Sequence, residues 1–183
     1  MAALDVMSAR KLLESNCDLP DAVVHTAERT GFHGRWEKIS DTPYTICDIG
    51  HNEHGLKYNF AQLERMRASG DFTHLVIVYG SVADKDVDAM LHLLPEDATY
   101  VFTQASSKRA LPAEEICRKY LDFCGKAGRC PGIISCASTV AEAMTLAYSY
   151  ADAVEEQDSA FRTLVYVGGS TYVVSEAVAC LMA

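Results

Sequence analysis

Short runs of consecutive apolar residues alternate with segments of helical period along most of the chain. The runs are "YTICDIG" (44–50), "HLVIVYG" (74–80), "TYVFTQ" (99–104), "GIISC" (132–136) and "TLVYVGG" (163–169). Between and after them lie helical patterns at about 54–69, 86–94, 112–125, 138–151 and 171–182. Near-continuous apolar strands separated by helices predict a parallel sheet covered on both faces. "RWEKIS" (35–40) predicts an added edge strand. The expected fold is a Rossmann-like three-layer α/β sandwich: a mostly parallel sheet of about six strands with helices on both faces. Ahead of it, Leu4, Met7, Leu12 and Leu13 suit a first helix. "LPDAVVHTAERT" (19–30) suits a second, with Pro20 tolerated in its opening turn. Gly31 and Gly34 bracket the loop where the character of the chain changes. "VEEQDSAF" (154–161) reads as a short polar connection.

A length of 183 residues fits one domain with an appendage and is enough for a sizeable core. The formal charge of −9 argues against non-specific binding to nucleic acid or to an anionic membrane. It leaves room for a local basic pocket around one small phosphate-bearing ligand. The seven cysteines include no Cys-x-x-Cys pair and fit no disulfide scaffold, so reduced thiols in a cytoplasmic protein are expected. Cys47 and Cys180 sit in apolar runs and read as small core residues. The first sixteen residues lack the features of a signal peptide, and no apolar run is long enough to span a bilayer.

In an open α/β sheet ligands lie beyond the carboxyl ends of the strands. The polar clusters of this chain fall at that edge: "DIGHNEHG", "GSVADKD", "TQASSKRALP", "SCAST" and "GGSTY". His51 and His54 are three apart, but Asn52 and Gly55 point to a turn opening a helix rather than to a metal motif. A functional reading aims Asp48 at a ligand hydroxyl and His51 at a charged substrate group; a structural one makes Asn52 a helix cap. Asp84 or Asp86 caps the next helix or serves the site, and Lys85 meets a carboxylate or a partner domain. Lys108 and Arg109, just before Pro112, are placed to attract an anion. "GGSTY" has the form of a small anion nest at a helix N-terminus. The sequence contains no phosphate loop of the Walker type, no Gly-x-Gly-x-x-Gly after the first strand and no Gly-x-Ser-x-Gly elbow. The chain thus offers a binding edge and neither a catalytic nor a metal-ligating residue.

Taken together, "GRWEKI", "CDIGHNEHG", "YGSVADKDV", "SSKRALPAEEI" and "VGGSTYVVSEA" occur in an order and spacing that resembles the C-terminal domain of folylpolyglutamate synthase/dihydrofolate synthase, of the Mur ligase superfamily. The resemblance covers about residues 31–180. It implies that residues 1–30 are the helical tail of a central ATPase domain and 31–183 a Mur-ligase-type C-terminal domain. In that family ATP and Mg2+ bind mainly to the central domain, ATP phosphorylates a pteroate or folate carboxylate, and glutamate displaces the phosphate. The C-terminal domain closes over the nucleotide and helps hold glutamate. By motif, Arg35 and Asp48 match the ATP-contacting positions, and His51 and Ser170 match positions near glutamate. Asp84, Lys85 and Asp86 match an Asp-Lys-Asp at the interdomain face. The implied partners are ATP, glutamate, folate or dihydropteroate, and the chain's own ATPase domain. Arg35 and Asp48 flank strands, so neither is expected to anchor the core. The sequence departs from the family's Asp-Gly-Ala-His-Asn-Pro at Ile49, Gly50 and Glu53. Two other readings stand beside this one, a cell-wall Mur ligase and a stand-alone nucleotide-binding interaction module.

Overall fold

The computed structural model describes residues 34–157 and 162–182. The two helices expected within residues 1–30 lie outside these, as does the end of "VEEQDSAF". Six strands form one sheet: β1 (Glu37–Asp41), β2 (Tyr44–Asp48), β3 (His74–Tyr79), β4 (Thr99–Thr103), β5 (Ile134–Ala137) and β6 (Thr163–Gly168). Their spatial order is β1-β2-β6-β3-β4-β5. All neighbours pair in parallel except β1 and β2; "RWEKIS" supplies the expected edge strand, and the structure shows that it runs antiparallel.

Both faces of the sheet are covered, which is why the strands read as apolar runs rather than alternations. One face carries Ile77, Tyr79, Tyr100, Phe102, Leu164 and Tyr166. Against it pack α1 (Glu53–Ala68), α2 (Val87–Leu91) and α3 (Ala113–Ala127) through Leu56, Phe60, Met90, Ile116 and Tyr120. The rings of Tyr100 and Phe102 stack at 5.5 Å, with Tyr120 tilted over Tyr100 at 4.9 Å. The other face is built of small residues, Val76, Val78, Val101, Val165 and Val167. There α4 (Val140–Gln157) presents Ala143, Ala147 and Ala151, and α5 (Thr171–Met182) presents Val173, Val174 and Ala177. Alanines four apart share one helix face and let α4 approach the sheet closely.

The helix ends follow local chemistry. Asn52 caps α1, its side-chain oxygen accepting from the Gly55 amide at 2.8 Å. Gly128, at φ +68°, closes α3. Two boundaries differ from expectation. The segment expected as helix to residue 94 is regular only to Leu91. It then continues in tighter turns, with the Leu93 and Leu94 amides donating three residues back to Met90 and Leu91. Pro95 accounts for this, because it disfavours helical backbone at the residue before it. In the other direction, α4 runs six residues past the expected end at 151. "VEEQ" is therefore a last helical turn, and Glu155 Oε1 accepts from the Thr163 amide at 2.9 Å, tying that turn to β6.

The connections decide where a ligand can sit. The helices after β2, β3 and β4 lie on the aromatic face, whereas α4 returns on the small-residue face and inserts β6 between β2 and β3. The chain leaves β2 and β3 toward one face and β6, between them, toward the other, opening a crevice at the carboxyl ends. Asp48, Gly80, Ser81 and the Gly168–Ser170 turn all end there.

Candidate functional site

At the end of β2 the chain leaves the ladder, and the Ile49 amide donates to the Gly34 carbonyl at 2.7 Å. Asp48 is 5% exposed and its carboxylate is used inward. Oδ1 accepts from the Gly50 amide at 2.6 Å and from Asn59 Nδ2 at 2.7 Å; Oδ2 accepts from the Trp36 amide at 2.9 Å. Asn59, on the buried face of α1, also donates to the Tyr166 hydroxyl at 2.9 Å. Burial, reinforced by the Asp48 charge, pushes the Tyr166 phenol far above its usual range, so the hydroxyl stays neutral. Trp36 has φ +46°, a left-handed conformation uncommon for bulky residues. The expectation that Asp48 need not anchor the core is corrected here: it ties β1, β2 and α1 together. Arg35, one residue before Trp36, is exposed. Burial lifts the nearby Cys47 thiol to about 12, as befits a small core residue. Cys180, expected in the core as well, is exposed on α5.

Around the crevice a cavity of about 370 Å³ is lined by His51, Val82, Lys85, Arg109, Ser170, Thr171 and Tyr172. The His51 Nδ1 lies 2.9 Å from the Ile49 carbonyl; a carbonyl only accepts, so Nδ1 carries the hydrogen and Nε2 is left as an acceptor. Ser170 is buried at the start of α5, where its Oγ accepts from the Tyr172 amide at 3.3 Å. Two loops meet opposite it: the Ala83 amide donates to the Arg109 carbonyl at 2.8 Å, and Val82 bridges Ala110. This pairing brings Lys85 and Arg109 to one wall.

The Asp-Lys-Asp segment divides its roles. Asp86 caps α2, accepting from the Ala89 amide at 3.1 Å. Asp84 pairs with Arg109 at 2.5 Å. The guanidinium beside it holds the Asp84 carboxyl below the usual range, and Asp84, with Tyr172 adding, raises Arg109 in turn. Both side chains are more than half exposed, so the pair orients Arg109 rather than stabilising the fold. Lys85 is half-buried in the cavity wall.

The structure therefore brings His51, Lys85 and Ser170 together, with Asp84 reaching the same cavity through Arg109. Arg35 and Asp48 belong to the adjoining turn at the β2 end. Sequence reasoning missed Asn59, although a polar residue within the apolar stripe Leu56, Phe60, Leu63 was a readable signal. Tyr172 had no such signal. His54 is exposed on the first turn of α1, away from the His51 hydrogen bond. Among the described residues no group of three or more His, Cys, Asp or Glu side chains converges as a metal site. A larger cavity, about 460 Å³, lies between Tyr44, Phe72, Glu155 and Arg162 at the amino ends of the strands. The carboxyl-end cavity is the better candidate, because it lies where the crossovers diverge.

Residues 34–169 match the family described as Mur ligase, glutamate ligase domain. The chain is 29% identical over 161 residues to a probable bifunctional folylpolyglutamate synthase/dihydropteroate synthase of Haloferax volcanii, covering 87% of this chain and 17% of that protein. It is 32% identical over 90 residues to a dihydrofolate synthase/folylpolyglutamate synthase of Buchnera aphidicola, covering 48% and 20%. The folylpolyglutamate synthase of Mycobacterium tuberculosis, solved with ADP, superposes with a TM-score of 0.69 at 28% identity, over 82% of this chain and 32% of that one. The Yersinia pestis folylpolyglutamate synthase/dihydrofolate synthase, solved with AMPPNP and Mn, shares the fold at 22% identity and a TM-score of 0.63, over 83% and 32%. The chain spans a fifth or less of the curated relatives it matches and about a third of these solved ones. With the match extending over most of its length, the chain belongs to the Mur ligase glutamate ligase domain family and is a C-terminal domain of the Mur ligase superfamily.

Proposed function

We propose that this chain is the lid domain of a cytoplasmic ATP-dependent ligase that joins L-glutamate to folate or dihydropteroate through an acyl phosphate. The observation that carries this reading is the cavity at the carboxyl ends, where Lys85 and Arg109 face His51 and Ser170. A wall with Lys85 and an Arg109 oriented by Asp84 suits an anionic amino acid. Ser170 and the His51 Nε2 then have hydrogen-bonding capacity for the same ligand. The exposed Arg35 suits phosphate oxygens of ATP, and one lone pair of Asp48 Oδ2 remains for a ribose hydroxyl. The Asp84-Lys85-Asp86 segment, on one side of this cavity, is the face that meets the central ATPase domain on closure. Mg2+ would supply neutralisation of phosphate charge in such a transfer, and its ligands would come from the central ATPase domain that the family resemblance implies. No role for nucleic acid or membrane is proposed; among the described residues no helix is long and apolar enough to cross a membrane.

Two outcomes test this. The purified 183-residue chain alone should neither hydrolyse ATP nor ligate glutamate, because it lacks the backbone amides and lysine of a phosphate loop. Folate-dependent ADP release from it would overturn that reading. In the ligase assembled with its ATPase domain, Arg35→Ala should lower kcat/KM for ATP by roughly 30- to 150-fold, the loss of one charge-assisted contact. Melting should be unaffected, since Arg35 is exposed. Unchanged ATP kinetics would remove Arg35 from the nucleotide site.

A further inference from the structure

The Asp48 carboxylate is occupied by donors from three parts of the chain, and each bond has a direction. From inside the core, Asn59 Nδ2 gives one hydrogen to Asp48 Oδ1 and the other to the Tyr166 hydroxyl. Asn59 is 4% exposed and Tyr166 fully buried, so neither can exchange its partner for bulk water. On the far side of the carboxylate, Oδ2 takes the Trp36 amide hydrogen. That amide belongs to the peptide bond joining Arg35 to Trp36, and Trp36 is the residue held at φ +46°. A left-handed tryptophan persists only where the surroundings over-determine it. The indole adds a second hold, its ring lying 6.3 Å from that of Tyr166.

We propose that Asn59 is a positioning residue: it fixes Asp48 from within the core and, through the Trp36 amide, sets the direction in which Arg35 leaves the fold. This rests on the reading of Arg35 as a nucleotide contact for its purpose, but not for its mechanics. A polar residue in the apolar stripe of α1 thereby acquires a reason. One amide hydrogen on Asp48 Oδ1, with the other anchored on the Tyr166 hydroxyl, keeps the carboxylate from rotating, and a fixed carboxylate keeps an otherwise unfavourable turn in place. Preorganising Arg35 this way spares the cost of ordering a long side chain on a flexible loop when the ligand arrives.

The chain offers a direct test, because Trp36 is its single tryptophan. Asn59→Leu and the smaller Asn59→Ser both delete the amide donors, and far-UV circular dichroism establishes which variant folds. In either folded variant, Trp36 emission should shift to the red and its accessibility to acrylamide should rise roughly twofold as the turn loosens. Trypsin should cut after Arg35 faster than in the parent chain, since the scissile amide is the one Asp48 holds. Parent-like emission, quenching and cleavage in a folded variant with lowered melting temperature would reduce Asn59 to a structural residue and overturn the proposal. These readouts need no nucleotide. Failure of Arg35→Ala to alter ATP kinetics would therefore count against the nucleotide reading and leave the latch standing.

Discussion

Asp48→Ala should destabilise the domain by about 3–5 kcal/mol, a large share of the roughly 5–15 kcal/mol that holds an ordinary domain folded. The substitution removes the acceptor of three donors at once: the Gly50 amide, Asn59 Nδ2 and the Trp36 amide. Hydrogen bonds to a charged group contribute about 1.5–3 kcal/mol each. Their simple sum overstates the loss, because water can enter the space an alanine leaves and serve the outer donors. Asn59 is deeper and keeps only Tyr166 as a partner. The melting temperature should fall by on the order of 10 °C. A variant melting within about 2 °C of the parent would refute this account. Loss of ATP use in Asp48→Ala would thus not by itself place a ribose on the carboxylate. The contrast with Arg35→Ala, where kinetics should change and melting should not, would separate ligand contact from scaffold.

Gly169→Ala should be comparably damaging, at about 3–5 kcal/mol, for a steric reason. Gly169 has φ +89°, and a Cβ built there would lie 2.5 Å from the Gly80 carbonyl oxygen and 2.5 Å from a Tyr79 ring carbon. Neither wall can yield easily. Gly80 is bonded through its amide to the Gly168 carbonyl at 3.3 Å, and the Tyr79 ring is fully buried. Gly70 supplies the control: its φ is +79°, but nothing lies within 4 Å of an added Cβ. Gly70→Ala therefore tests backbone strain alone and should cost about 1 kcal/mol. Equal losses at the two positions, measured by denaturant unfolding, would show that the close approach of β3 and β6 contributes nothing. Because Ser170 follows Gly169 directly, the larger displacement should also disturb the cavity, raising KM for glutamate in the assembled ligase.

Much of the fold was legible in the chain because parallel strands buried on both faces carry their signal locally. "HLVIVYG" and "TLVYVGG" needed no partner to be read as strands, and Asn52 marks a helix start by its own chemistry. The errors fell where a neighbour decided the outcome. Pro95 shortened α2 from outside it, and the Thr163 amide gave the acidic end of α4 a reason to stay helical. The site was legible as an edge rather than as an arrangement. The resemblance set His51 and Ser170 near one ligand and Lys85 at an interdomain face, and the spacing of the sequence could not say that all three share a cavity.

The sequence by itself determined the layers, the presence of an edge strand and the carboxyl-end placement of the polar clusters, since each follows from hydrophobic period and from residue types at strand ends. Tertiary structure decided which groups were free for a ligand. Asp48 and Asp84 look alike in the sequence, two carboxylates just beyond strands. One is buried and engaged by Trp36, Gly50 and Asn59, while the other is exposed and paired with Arg109. Apart from Gly50, two residues on, the partners come from 11, 12 and 25 residues away, through α1 packing over the end of β2, the turn before β1 lying beside it and the loops before α2 and α3 meeting. A carboxylate's role depends on the donors within 3 Å of it, and those distances exist only once the chain has closed on itself.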